Sequence, residues 1–165
     1  MKYLTIIRHA KSSWENPDLD DLVRPLNERG LQSIKTIGNY LKEKQIQPDL
    51  VITSPATRAL QTAIGIGAYL NYTVDDLLIK QDIYSGFEKQ ILQVISAVDE
   101  YYSDVFLFGH EPILSSLIEL LTKNRLEKFP TCAVYRIAFD INHWKKIKKG
   151  KTLFFVTPKQ LSSKL

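Results

Sequence analysis

The chain has 165 residues, 44% hydrophobic and 24% charged, an ordinary globular balance with length for one domain spanning 1–165 and a core that buries roughly 68–70% of the unfolded surface without metal or disulfide staples. Its single cysteine, Cys132, closes no internal disulfide and excludes a cysteine-cluster zinc site, which points to a reducing compartment. The net charge of +4 comes from 22 Lys+Arg against 18 Asp+Glu, and five of the cations (Lys145, Lys146, Lys148, Lys149, Lys151) share one stretch, so the basic character is a solvated turn rather than a nucleic-acid surface.

The start is apolar only over Tyr3 to Ile7 before Arg8 and His9, too short for a secretory signal, and no run approaches the roughly 18 apolar residues of a membrane helix. A cytoplasmic chain with no membrane partner is the expectation. Lys2 to Arg8 reads as a buried strand. A long polar loop follows, punctuated by Pro17 and Pro25. Asn27 caps a helix with apolar positions Leu31, Ile34, Ile37 and Leu41, closed before Pro48. Leu50 to Ile52 is a second strand, stopped at Thr53-Ser54-Pro55, and the next helix carries Ala59, Thr62, Ala63, Ile66 and Leu70.

Val74 to Lys80 reads as a third strand, Tyr84-Ser85-Gly86 as a turn, and Phe87 to Tyr101 as a helix with Phe87, Ile91, Leu92, Ile95 and Val98 on one stripe. Val105 to Phe108 is a fully apolar strand ending at Gly109-His110, and Pro112 opens a helix through Leu121. Val134 to Phe139 and Thr152 to Val156 are the last strands. The alternation predicts an α/β fold of three layers, α/β/α, around a central and mostly parallel sheet.

In such sheets ligands gather at the carboxyl ends of strands. Three strand ends deliver Arg8-His9, Ser54-Pro55 with Arg58 one turn later, and Gly109-His110, and two of the chain's three histidines stand there. Like cations repel unless an anion sits among them, and a phosphoryl group is that anion. Arginine offers a planar fork of donors to phosphate oxygens, and neutral imidazole has a lone pair able to attack phosphorus. Taken singly, each residue also has a bland reading: a surface ion pair for Arg58, a backbone-bonded turn residue for His110. Four together favour the site. Such a site needs one neutral imidazole with its second nitrogen donating to a carbonyl, gains from a second imidazole that is cationic, and calls for no metal and no cofactor, because guanidiniums supply the positive charge.

Arg8-His9-Ala10, Arg24-Pro25-Leu26 with Gly30, Ser54-Pro55-Ala56-Thr57-Arg58-Ala59-Leu60-Gln61-Thr62 and Gly109-His110-Glu111-Pro112 closely resemble the histidine phosphatase superfamily. Within it, the short form with "RHAKSSW" and "RPL" looks like the SixA group of phosphohistidine phosphatases, from Met1 to about Pro158. The resemblance implies a phosphoglycerate mutase-like fold in a compact form without a lid insertion. It implies that His9 is the nucleophile and hence the neutral imidazole, that Arg8, Arg58 and a cationic His110 bracket the phosphoryl oxygens, and that Arg24 and Ser12 add substrate contacts. A general acid is implied between the second helix and the third, with Asp82 the first choice and Glu88 the second.

Two positions depart from the superfamily pattern: Ala10 stands where glycine is common, and Glu111 where asparagine is frequent. Glu111 points outward, caps the helix or contributes to substrate choice. The partner implied is a phosphorylated protein, such as a histidine phosphotransfer domain, met by a monomer; Trp14, Tyr84 and Phe87 either touch it or pack as core and turn residues. The alternatives are a small phosphorylated substrate processed by the same nucleophile, or a phosphate-binding interaction module without turnover.

Overall fold

Alternation of side chains decides how the sheet is covered. In β1 (Lys2–Arg8) and β4 (Asp104–Gly109), Leu4, Ile6, Val105 and Leu107 face one core, while Ile7, Phe106 and Phe108 face the other. The computed structural model describes residues 1–164. The strands β2 (Leu50–Thr53), β3 (Leu77–Ile79), β5 (Val134–Phe139) and β6 (Lys151–Val156) complete a six-stranded sheet in the order β3-β2-β4-β1-β5-β6. β3, β2, β4 and β1 pair in parallel, and β5 runs antiparallel to both of its neighbours.

Helices cover both faces. Residues Ile34, Ile37 and Leu41 of α1 (Glu28–Glu43) and Ala63, Ile66 and Leu70 of α2 (Thr57–Leu70) pack with Val51 and Phe108. On the opposite face, Ile91 and Ile95 of α4 (Glu88–Ser96) and Leu114, Leu117 and Leu121 of α5 (Ile113–Thr122) pack with Leu4 and Leu107. Two short helices, α3 (Asp82–Ser85) and α6 (Pro158–Ser162), complete the layers. This is the three-layer α/β/α arrangement expected from the sequence.

Several boundaries differ from expectation for local reasons. The third strand shrinks because Thr73 and Asp76 cap each other's backbone and wind Val74–Asp76 into a single 3-10 turn, leaving three residues to pair. The helix expected over 87–101 stops at Ser96. Leu31 lies on the apolar stripe of α1 yet is exposed, as are Trp14 and Phe87, each at 66%; neither aromatic is core. The lysine-rich connection is pinned by Trp144, which is fully buried within the 3-10 turn Trp144–Lys146. The loop after β1 is itself ordered, by a bridge between Ser12 and Leu26 and by a 3-10 turn at Asp21–Val23.

Register brings the site together. Arg8 pairs with Gly109, and Thr53 with Phe108, so β1, β2 and β4 end in one line. α1 docks against the start of the loop: Asn27 Oδ1 accepts the Gly30 N–H at 2.9 Å, and a Cβ on Gly30 would lie 2.3 Å from the Lys11 carbonyl oxygen. Only glycine allows that approach.

Candidate active site

The end of β1 is held on three sides. The His9 N–H donates to the Gly109 carbonyl, the Ala10 N–H to Thr62 Oγ1 at 2.9 Å, and the Cys132 N–H reaches the carbonyls of both Arg8 and His9. His9 is buried at 7% exposure. Its Nδ1 lies 2.7 Å from the Ala10 carbonyl oxygen, an acceptor only, so Nδ1 carries the proton and Nε2 keeps its lone pair. Burial, followed by Arg58, Arg8 and Arg24, pushes the His9 pKa down to about 4 against the opposing pull of the Ala10 bond. The ring is neutral at pH 7.

His110, from the end of β4, stands with its ring centroid 5.1 Å from that of His9. Its Nε2 is 2.7 Å from Ser54 Oγ, which also accepts the Ala56 N–H at 3.1 Å. Ser54 Oγ keeps a second lone pair, so this contact fits either tautomer of His110; with the hydroxyl donating to Nε2, Nδ1–H is the free donor that an anion would meet. Burial first, then His9 and Arg58, pushes the His110 pKa down to about 3. Burial and the neighbouring cations thus favour the neutral ring, against the cationic His110 expected from the sequence.

The guanidiniums gather around these rings. Arg8 donates through Nη1 to the Phe129 carbonyl at 3.0 Å, and burial, opposed by Glu111, lowers its pKa. Arg58, buried near the start of α2, donates to the Asp21 carbonyl at 2.6 Å and to Asp21 Oδ2 at 2.9 Å. Arg24 donates to Asp21 Oδ1 at 2.8 Å and to Ser12 Oγ, and its guanidinium stacks 3.9 Å from the Trp14 ring centre. Asp21 Oδ2 also accepts the Tyr84 hydroxyl at 2.8 Å. The Arg24 bond, against a burial cost, and then Tyr84 and Arg58 hold the Asp21 carboxyl well below the usual carboxylate range.

His9 and His110 lie ring against ring, the Tyr84 ring stands 5.6 Å from His110 and its hydroxyl joins the Asp21 network of Arg24, Arg58 and Ser12, and the charges of Arg8 and Arg58 act on both histidines. Asp82 does not join them. Successive residues of α3 point about 100° apart: Ile83 enters the core and Tyr84 turns to Asp21, so Asp82 is exposed and lines a groove with Leu78, Lys80 and Gln90. Glu88 lines another, with Leu92 and Lys149. Glu111 accepts both the N–H and the hydroxyl of Ser115 and so caps the first turn of α5.

Asp21 is the residue that reading the sequence missed. Its one signal was an acid three residues before Arg24 in a proline-bounded loop, a spacing shared by many surface pairs. Tyr84 joins it across a sequence separation of 63, which no local pattern encodes.

Comparison with known proteins fits this geometry. A family model described as "Histidine phosphatase superfamily (branch 1)" matches residues 4–83. An uncharacterized Mycobacterium tuberculosis protein, Rv1276c, is 32% identical over 159 residues, covering 87% of this chain and 93% of that protein. Phosphohistidine phosphatase SixA of Escherichia coli is 27% identical over 141 residues, covering 82% and 84%. Among solved structures, the protein histidine phosphatase SixA complexed with tungstate superposes with a TM-score of 0.84 at 23% identity, covering 96% of this chain and 99% of the other. With the strand-end histidines, the ordered arginines and these likenesses in agreement, the chain belongs to the histidine phosphatase superfamily.

Proposed function

We propose that this chain is a metal-independent phosphatase that takes a phosphoryl group onto His9 Nε2 from phosphohistidine on another protein. One observation carries the reading. Among the described residues, the buried side-chain polar atoms without a hydrogen-bond partner are Nε of Arg8, Arg24 and Arg58 and Nδ1 of His110. Buried polar groups are almost always satisfied, and four orphans confined to one cluster of donors call for a ligand rich in anionic oxygens. Phosphoryl is such a ligand, and the likeness to SixA, solved with the oxyanion tungstate, agrees with it.

Chemistry follows from the tautomer. The Nε2 lone pair of His9 forms the new phosphorus–nitrogen bond as the donor's bond breaks, and the donor imidazole, protonated from solvent on its other nitrogen, leaves neutral. His9 has kept its Nδ1 proton on the Ala10 carbonyl, so the phosphoenzyme already has a good leaving group. Water attacks phosphorus, sheds a proton to solvent and releases orthophosphate and neutral His9. The guanidiniums and the His110 Nδ1–H stabilise the charge on the equatorial oxygens.

Neither histidine is hydrogen-bonded to a carboxyl group among the described residues. Asp21 is ionised, Glu111 serves Ser115, and Asp82 and Glu88 line other grooves. That favours a labile phosphorus–nitrogen bond over an alkoxide leaving group, which gains roughly 10²–10⁴-fold from a protein acid. No three of His, Cys, Asp and Glu among the described residues stand together as a metal site, and three guanidiniums supply charge in its place. The E. coli relative's name supports phosphohistidine as the donor, and exposed Trp14 and Phe87 leave apolar surface for a protein partner.

Single-turnover dephosphorylation of a phosphohistidine-bearing domain, beside simple phosphomonoesters and in EDTA, tests the proposal. Loss of phosphohistidine with wild type and not with His9→Ala is expected. Turnover confined to esters moves the function to small-molecule hydrolysis, and turnover of neither leaves a phosphate-binding module.

A further inference from the structure

The loop between β1 and α1 sends one carboxylate into the cluster of cations, and its contacts are more numerous than an ordinary surface ion pair requires. Asp21 engages Arg24 through Oδ1 and Arg58 and Tyr84 through Oδ2, and its main-chain carbonyl takes a second Arg58 donor. Arg24 and Arg58 are buried, whereas the Asp21 side chain is half exposed. Three separate segments, the loop, α2 and α3, therefore meet on one acid, and both arginines keep Nε free.

We infer that Asp21 is a positioning residue that fixes Arg24 and Arg58 with their Nε groups free for phosphoryl oxygens and, by its charge, weakens the hold on product orthophosphate. The inference rests on the phosphate-site reading above. Positioning follows from the geometry. Two long side chains that would otherwise sample many rotamers are each tied at two points, Arg24 to Asp21 and Ser12, Arg58 to the carbonyl and carboxylate of Asp21, so their ordering entropy is spent before substrate arrives. The effect on product follows from Coulomb's law: a full negative charge on the same guanidiniums that hold a phosphate dianion repels that dianion. A site with three arginines and no such acid would grip orthophosphate and turn over slowly.

Two substitutions separate charge from position. Asp21→Asn removes the charge and leaves one acceptor oxygen where three donors arrive, while the Arg58 contact to the main-chain carbonyl persists. Asp21→Glu keeps the charge and displaces it by one methylene. Asp21 lies in an exposed 3-10 turn with no buried residue, so the core is untouched by either change.

The experiment measures orthophosphate affinity by titration calorimetry, and kcat and KM on a phosphohistidine-bearing domain, for wild type and both variants. For Asp21→Asn, orthophosphate binding about three- to tenfold tighter is expected, with KM falling in parallel and kcat falling about tenfold. For Asp21→Glu, orthophosphate affinity within about twofold of wild type is expected, with kcat reduced. Orthophosphate affinity in Asp21→Asn that is equal to or weaker than wild type overturns the inference, as does a wild-type kcat in both variants. Wild-type protein that binds no orthophosphate removes the phosphate-site reading and this inference with it, whereas wild-type binding with an unchanged Asp21→Asn affinity removes the inference alone.

Discussion

Two regions build the site by opposite means. The ends of β1, β2 and β4 hold His9, Ser54 and His110 through backbone pairing inside a sheet where Ile7, Thr53 and Phe108 are fully buried, so the positions of the two imidazoles follow from strand register. The loop from Ser12 to Leu26 is mostly exposed, carries one 3-10 turn and one isolated bridge, and joins Arg24 and Asp21 to the rest of the site through side-chain bonds and the Asp21 carbonyl. The strand ends supply a nucleophile of fixed tautomer, and the loop sets the charge around it. Register is stiff, because slipping a strand by one residue would turn every side chain to the wrong face. A network of exposed and half-exposed contacts can be retuned by a single substitution.

The contrast orders the expected consequences of mutation. His9→Ala, at a strand end, is expected to lower turnover of phosphohistidine by at least about a thousandfold and to abolish the phosphoenzyme, with orthophosphate affinity changed by less than about tenfold; single-turnover kinetics with calorimetry checks both. Arg58→Ala loses a donor shared by the two regions and is expected to cut kcat/KM by about 10²–10³-fold, with the fold intact by circular dichroism. Ser54→Ala frees His110 Nε2 from its hydroxyl partner and is expected to cost about tenfold in kcat with little change in KM. A large KM effect there would show that Ser54 binds substrate rather than positioning His110.

Acid gives a further separation. The His9 and His110 pKa values lie near 4 and 3 in the folded chain, below the value of about 6.5 for an unfolded histidine. Between those values the unfolded chain binds protons that the folded chain does not, so stability falls as pH falls from about 6.5 toward 4. Each imidazole contributes on the order of 2 kcal/mol to that loss by pH 4.5. Urea unfolding at pH 7 and pH 4.5 in phosphate-free buffer is expected to show the slope, and a His9→Gln, His110→Gln double variant to flatten it. The smallest expected effect is at Asp82: Asp82→Ala, altering a groove apart from both regions, is expected to keep phosphohistidine turnover within about twofold. A collapse of activity would return the general acid to that residue.

The same contrast explains what could be read in advance. The apolar runs over 3–7, 50–52 and 105–108 end abruptly, so strand ends and their histidines were legible from period and punctuation. So was the Asn27 cap. The extent of the third strand was not, because the capping pair Thr73 and Asp76 competes locally with pairing at the sheet edge. Trp14 and Phe87 could be read as packing residues or as partner contacts and proved exposed, since aromatic character says nothing of which way such a residue faces. Asp21 stayed hidden because its partners come from α2 and α3, and only the folded chain brings Arg58 and Tyr84 to one carboxylate.

The most direct test of the central claim is to find the covalent intermediate. Wild-type protein mixed with a phosphohistidine-bearing domain in EDTA, quenched in alkali and digested, is expected to yield a single phosphorylated peptide containing His9, with phosphorus NMR assigning the phosphate to Nε2. Turnover at the wild-type rate with no phosphorylated His9 at any time, or with the label on His110, would contradict the account.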